Sequence, residues 1–235
     1  MEAVVLAGGF GTRLASRLKD VPKPMADVAG RPFLEYLLLK LGRSGFTHAV
    51  LSVGYLHETI EAHFGAAFAG LRLDYAVEEA PLGTGGAIRA ALAWATQSSV
   101  LVLNGDTYLD ADYAAMMQAH DEAEAALTMA ISYQPDIARY GGVLLEKDEQ
   151  TQRVAGFEEK GRAGAGWINA GAYAMARNLA WPPALGERFS FERDFLMPQV
   201  ARLRPLAFAV DGFFLDIGIP EDLDRAQTVL TVFEK

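Results

Sequence analysis

The chain has 235 residues, 51% hydrophobic and 22% charged, an ordinary globular make-up that allows one large domain or two small ones. A net charge of −9 leaves no basic face for a phosphate backbone and excludes nucleic acid as the main partner. The absence of cysteine excludes disulfides and thiolate metal sites. A few local cations can still govern a pocket for a small anion, because charges beyond about 8 Å are largely screened. The N-terminal MEAVVLAGGF lacks a basic n-region, and no apolar run approaches the roughly 20 residues that span a bilayer. The expectation is a cytoplasmic protein with no membrane partner.

Residues 3–7, AVVLA, read as a buried strand. Pro32 opens an apolar-striped helix closed at Gly45. HAVLSV (48–53) predicts a strand, HETIEAHF (57–64) a helix, LRLDYAV (71–77) a strand, TGGAIRAALAWATQ (84–97) a helix and SVLVLN (99–104) a strand. DYAAMMQAHDEAEA returns to helix. Four strand–helix alternations predict an α/β fold with a Rossmann-like, mostly parallel sheet and helices on both faces. Ligands of such sheets sit beyond the carboxyl ends of the strands. The second half is richer in strands: ALTMAISY, GGVLLEKD, RVAGFEEK and WINAGAYAM, with a loop GRAGAG at 161–166. Ser190 can cap a helix over about 191–203, which Pro198 should kink or end. LAFAV and FFLDIG are late strands, and Pro220 opens a last helix. No boundary separates two independent domains, so a single domain with a β-rich second lobe is expected.

Two stretches carry chemistry. GGFGTRL (8–14) lacks the Lys-Ser/Thr of a Walker A loop and the last glycine of G-x-G-x-x-G, where Leu14 stands. That missing glycine argues against a nicotinamide-dependent oxidoreductase. What remains is a glycine turn whose free N–H groups can form an anion cradle, with one arginine. A plain structural turn stays open as the alternative. VPKPM (21–25) brackets Lys23 between Pro22 and Pro24, which restrict the backbone around it and lower the entropy its ammonium loses on meeting an anion. The four histidines share no metal-ligand spacing.

LAGGFGTRL followed by PKPM resembles the signature of the sugar-1-phosphate nucleotidylyltransferases. The resemblance continues in order through EEAPLGTGGAI (78–88), NGD (104–106), FEEK (157–160), NAGAY (169–173) and DIGIPEDL (216–223). Within the family, GGFGTRL, PLGTGG and DIGIPED are most similar to the D-glycero-α-D-manno-heptose-1-phosphate guanylyltransferase branch. The resemblance implies a nucleotide-binding half over about 1–125 and a sugar-phosphate-binding half over about 126–235. It implies a reaction in which a sugar-1-phosphate attacks a nucleoside triphosphate, pyrophosphate leaves, and the nucleotide sugar feeds surface polysaccharide synthesis.

By resemblance, Arg13 and Lys23 are the catalytic pair. Leu6, Ala7, Gly8, Gly9, Gly11 and Thr12 hold the nucleotide with them, together with Glu78, Gly83, Thr84 and Gly105. A carboxylate at Glu78 only accepts hydrogen bonds and so suits guanine, which offers two adjacent donors, over uracil or thymine, which offer one. Mg²⁺ is the implied cofactor, held by Asp106 and Asp216. Many relatives read D-x-G-T-P at the second site, where this chain has Ile219. Gly142, Glu159, Lys160, Asn169 and Gly171 face the sugar phosphate, with Glu158 an alternative to Glu159. Mannose-1-phosphate with GTP and N-acetylmuramate-1-phosphate with UTP remain alternative substrates, and a non-catalytic nucleotide-sugar-binding regulator is the alternative from another class. The sequence fixes no oligomeric state, and a homodimer stays open.

Overall fold

The computed structural model describes residues 1–9, 14, 17–18, 21–147 and 151–234. Its first half runs β1 (Glu2–Leu6), the short pair β2 (Asp27–Val28) and β3 (Arg31–Pro32), α1 (Phe33–Arg43), β4 (His48–Val53), α2 (His57–Phe64), β5 (Ala67–Phe68), β6 (Leu71–Val77), α3 (Gly83–Leu92), β7 (Ser99–Asn104), β8 (Thr107–Leu109) and α4 (Tyr113–Glu122). The second half adds β9 (Leu127–Gln134), β10 (Val143–Lys147), β11 (Gln152–Phe157), β12 (Gly166–Ala176), α5 (Met197–Leu203), β13 (Leu206–Val210), β14 (Phe214–Asp216) and α6 (Pro220–Val229).

One sheet takes strands in the order β10-β11-β13-β9-β12-β7-β1-β4-β6-β5. Its first-half block β7-β1-β4-β6 is parallel throughout. The chain steps outward from β1 to β4 to β6, and α3 then carries it back past β1 to β7. That reversal opens a crevice at the carboxyl ends of β1 and β7, where doubly wound sheets bind ligands. The strands of the second half do not fold as a sheet of their own. β12 enters antiparallel to β7, and β9, β13, β11 and β10 extend the same sheet beyond it.

Strand alternation explains the continuous apolar run of β1. Ala3 and Val5 pack with Phe33, Leu37 and Leu41 of α1 on one face, while Val4 packs with Ile88 and Ala91 of α3 on the other. Helices on both faces therefore bury both sides of the strand. No helix of the described residues is long and apolar enough to cross a membrane.

Three elements depart from the sequence expectation. Helix α3 stops at Leu92, short of 97, because the Glu2 carboxylate accepts the N–H groups of Thr96 (2.6 Å) and Gln97 (2.8 Å). The strand in RVAGFEEK ends at Phe157, leaving Glu158, Glu159 and Lys160 in the following turn. Pro198 does not end its helix. Ser190 caps the helix as expected, accepting from the Arg193 N–H at 3.2 Å, but residues Phe191–Leu196 wind as a π-helix. Pro198 thus falls in the first turn of α5, where a missing N–H is tolerated.

Candidate functional site

A cleft of about 290 Å³ opens at the reversal point of the sheet. Its walls come from the end of β1 and the turn after it (Leu6, Gly8, Gly9), the Lys23–Pro24 turn, Glu78 and Pro81 beyond β6, Gly83, Thr84 and Ala87 of α3, and Asn104 and Asp106 after β7. Seven of the residues assigned to the nucleotide share this one space: Leu6, Gly8, Gly9, Lys23, Glu78, Gly83 and Thr84. Ala7 is buried beneath it, its N–H bonded to the Ser52 carbonyl at 2.7 Å. Gly105 lies under the cleft, with its N–H on the Leu6 carbonyl at 3.0 Å. Gly11, Thr12 and Arg13 lie outside the described residues.

Lys23 opens a short 3₁₀ turn, Lys23–Met25, entered through Pro22 at φ −64° and anchored by buried Pro24 and Met25. Its ammonium donates to Asp106 Oδ2 at 2.5 Å. The lysine side chain is 12% exposed and the aspartate 36%, so the pair sits at the cleft wall and not in bulk solvent. Antiparallel pairing of β14 with β8 sets Asp216 opposite Thr107, and the Ile217 N–H bonds the Asp106 carbonyl at 3.0 Å. This pairing brings together two candidate metal carboxylates, Asp106 and Asp216, that lie far apart in sequence.

Burial pushes the Asp216 carboxyl above its usual range, and the negative charge of Asp106 pushes it the same way; Lys23 and Arg139 pull against them. Asp216 Oδ1 accepts the Gly218 N–H at 2.7 Å, and Oδ2 lies 3.4 Å from Arg139 Nη2. Arg139 also pairs with Asp222 of α6 and stacks over Tyr140. Two mutually repelling carboxylates flanked by cations fit a divalent ion. Among the described residues no cluster of three His, Cys, Asp or Glu could hold an ion without other ligands. A two-carboxylate set leaves the remaining positions for phosphate oxygens and water, the habit of Mg²⁺.

Glu78 stands on the opposite wall. Its Oε1 accepts from the Ser52 hydroxyl at 3.1 Å, and its Oε2 from the Leu82 N–H at 2.9 Å. The glycines of PLGTGG next to it have a packing cause. A Cβ on Gly83 would come within 2.7 Å of the Phe189 carbonyl, one on Gly85 within 2.2 Å of the Phe189 ring and one on Gly86 within 2.3 Å of the Glu187 carbonyl. Thr84 Oγ1 accepts the Phe191 N–H at 2.9 Å. Helix α3 is therefore clamped directly onto the segment that leads into the π-helix.

Among the residues assigned to the sugar phosphate, Gly142 lies against Glu158: a Cβ there would meet Glu158 Oε2 at 2.3 Å, and the Glu158 N–H bonds the Gly142 carbonyl at 2.8 Å. The Glu158 carboxylate also pairs with Arg162, whereas Glu159 and Lys160 are exposed. Asn169 Nδ2 donates to Tyr173 Oη and to Glu192 Oε1, each at 2.6 Å. Gly171 takes φ +71° and packs against the Asn104 amide, which joins β12 to the cleft. Burial, reinforced by the Glu192 charge, holds the Tyr173 phenol well above its usual pKa. Sequence reading missed Asn104 as a site residue, and it missed Arg139, Glu192, Pro24, Pro81 and Ala87. NGD already pointed at Asn104, VPKPM contains Pro24, and EEAPLGTGGAI contains Pro81 and Ala87; nothing local to Arg139 or Glu192 distinguishes them.

A family model described as nucleotidyl transferase matches residues 2–231. The chain is 40% identical over 230 residues to the D-glycero-alpha-D-manno-heptose 1-phosphate guanylyltransferase of Aneurinibacillus thermoaerophilus, covering 98% of each. It is 39% identical over 222 residues to the enzyme of the same name from Campylobacter jejuni, covering 94% of this chain and 96% of that one. Its fold matches the crystal structure of HddC from Yersinia pseudotuberculosis complexed with GMP-PN, with a TM-score of 0.82 and 36% identity over 96% of this chain and 97% of that one.

Proposed function

The chain belongs to the nucleotidyl transferase family, and from that membership we propose that it transfers a guanylyl group from GTP to D-glycero-α-D-manno-heptose 1-phosphate, releasing pyrophosphate. An oxygen of the sugar phosphate attacks the α-phosphorus, a new P–O bond forms, and the bond to the β-phosphate oxygen breaks, its electron pair leaving with pyrophosphate. The observation that carries this reading is that one cleft holds both a hydrogen-bond-accepting carboxylate suited to guanine, Glu78, and the Lys23–Asp106 pair suited to phosphoryl groups. The heptose assignment draws its support from the relatives' activities.

Both reactants are anions. Two unit charges about 4 Å apart repel by about 4 kcal/mol at an effective dielectric of 20. Positioning and fixed positive charge therefore matter more than any covalent step on the protein. Lys23 is already immobilised by its proline bracket and its aspartate, so its ammonium meets the phosphoryl groups with little further ordering. Arg13 is assigned to the triphosphate and the leaving pyrophosphate, where a planar guanidinium grips two oxygens at once. A divalent cation, proposed as Mg²⁺, would be held by Asp106 and Asp216 and would supply charge neutralisation at the phosphates. Glu158, Glu159, Lys160, Asn169 and Gly171 are assigned to the sugar phosphate; of the two glutamates, the contact with Gly142 favours Glu158.

The test is a matrix of GTP, UTP, dTTP and ATP against heptose, mannose and N-acetylmuramic acid 1-phosphates, scored by pyrophosphate release with and without Mg²⁺. The expected result is release with GTP and the heptose phosphate together, abolished by chelation. Turnover confined to UTP, or to mannose 1-phosphate, overturns the corresponding half of the assignment. Binding without release in every combination favours a non-catalytic protein.

A further inference from the structure

We infer that Ser52 is a specificity-determining positioning residue, one that fixes the Glu78 carboxylate at the edge of the cleft so that it selects the nucleotide base. The inference rests on the base-reading role proposed for Glu78. Ser52 is 1% exposed and sits near the end of β4, in a strand buried along its whole length. Its carbonyl is taken by the Ala7 N–H. The core gains nothing from a hydroxyl here, and burying one costs free energy unless it is bonded. Among the described residues, that hydroxyl donates to Glu78 Oε1 at 3.1 Å.

The carboxylate is held from two sides. Ser52 takes one oxygen and the Leu82 N–H, from the turn leading into α3, takes the other at 2.9 Å. This matters because Glu78 stands between two spaces. One is the cleft of about 290 Å³; the other is a cavity of about 250 Å³ walled by Gly8, Gly54, Tyr55, Glu79, Ala80 and Pro81. A single hydrogen bond leaves a carboxylate free to swing about it, and two bonds to different oxygens fix its plane. Gly8 completes the arrangement, since a Cβ there would come within 2.9 Å of Glu78 Oε1. With the plane fixed, each oxygen keeps a further lone pair, and a base with two adjacent N–H donors satisfies both. A base with one donor leaves a partly desolvated carboxylate oxygen unmatched, which is how polar sites reject analogues.

The experiment compares kcat/KM for GTP and UTP in wild type, Ser52→Ala, Glu78→Gln and the double variant. Ser52→Ala is expected to cut the GTP-over-UTP ratio roughly ten-fold, through a higher KM for GTP with kcat nearly kept. Glu78→Gln should cut the ratio at least as far, and the double variant no further than Glu78→Gln alone. Equal losses for both nucleotides in Ser52→Ala, or additive losses in the double variant, overturn the Ser52 inference and leave the base reading standing. An unchanged ratio in Glu78→Gln overturns both. Should Ser52→Ala fail to fold, Ser52→Cys decides: a near-isosteric weak donor should give an intermediate ratio, and the full wild-type ratio in it overturns the inference.

Discussion

The two ends of the same parallel strands treat carboxylates in opposite ways. At the amino end, Glu2 of β1 is 5% exposed and its oxygens are matched by protein donors. Oε2 accepts the Thr96 and Gln97 N–H groups; Oε1 accepts the Thr96 hydroxyl at 2.8 Å and lies 3.1 Å from His48 Nδ1. His48 Nε2 in turn faces Asp74 Oδ2 at 2.9 Å. Burial pushes the Glu2 carboxyl up, but these donors together bring it down from 4.5 to about 2. At the carboxyl end, burial pushes Asp216 up and the neighbouring Asp106 adds to the push. At Glu2 the donors overcome burial; at Asp216 the Gly218 N–H, Arg139 and Lys23 do not overcome burial and the like charge of Asp106. The first charge is answered within the fold, and the second pair keeps a repulsion that a ligand cation can answer.

That contrast breaks most visibly at Lys23. Lys23→Ala should lower kcat/KM by roughly 10²–10³-fold, the usual cost of removing one preorganised electrostatic group. The melting temperature should stay within a few degrees, because the ammonium lies in a cleft wall and not in the core. Steady-state pyrophosphate assays and thermal melts on the same preparation check both halves. Normal turnover with a large loss of stability would make Lys23 a structural residue and erase the difference between the two ends.

Glu2→Gln is the complementary substitution. A displacement from 4.5 to about 2 corresponds to about 3 kcal/mol, at roughly 1.4 kcal/mol per unit. Because the folded-state value is depressed, this contribution is present above pH 4.5 and is lost as pH falls toward 2. Urea unfolding of wild type and variant should therefore show a gap near pH 7 that closes between about pH 4.5 and 2, with kcat/KM unaffected at neutral pH. A gap that stays constant over that range would assign the loss to packing and not to charge.

The sequence made the parallel block legible because its signals are local. A buried run such as HAVLSV and a striped helix such as FLEYLLLKLGR each announce themselves within a dozen residues. The Lys23 bracket was legible for the same reason: two prolines constrain it whatever surrounds it. The missed features depend on distant partners. The predicted extension of α3 to 97 fails where Glu2, far away in sequence, captures the N–H groups of Thr96 and Gln97. The glycines of GTGG read only as the opening of a helix near the nucleotide, yet their small size is required by a segment about a hundred residues later. Arg139 and Glu192 sit in stretches with no unusual pattern and gain meaning only once β14 and the π-helix place Asp216 and Asn169 beside them.

Ser190 gives the smallest effect and the sharpest division between the two halves of the site. Its hydroxyl caps the π-helix whose second residue, Glu192, reaches Asn169 and Tyr173. Ser190→Ala should cost about 1 kcal/mol of stability, the ordinary value of a helix cap. Loosening that first turn should raise KM for the sugar 1-phosphate severalfold while KM for GTP holds, since Asn169 loses the neighbour that orients its amide. The neighbouring bond from the Phe191 N–H to Thr84 Oγ1 ties the same turn to the nucleotide side, so the experiment has two possible readings. A rise in KM for GTP alone would assign the π-helix to clamping α3, and the sugar phosphate would then have to be sought nearer Gly142 and Glu158.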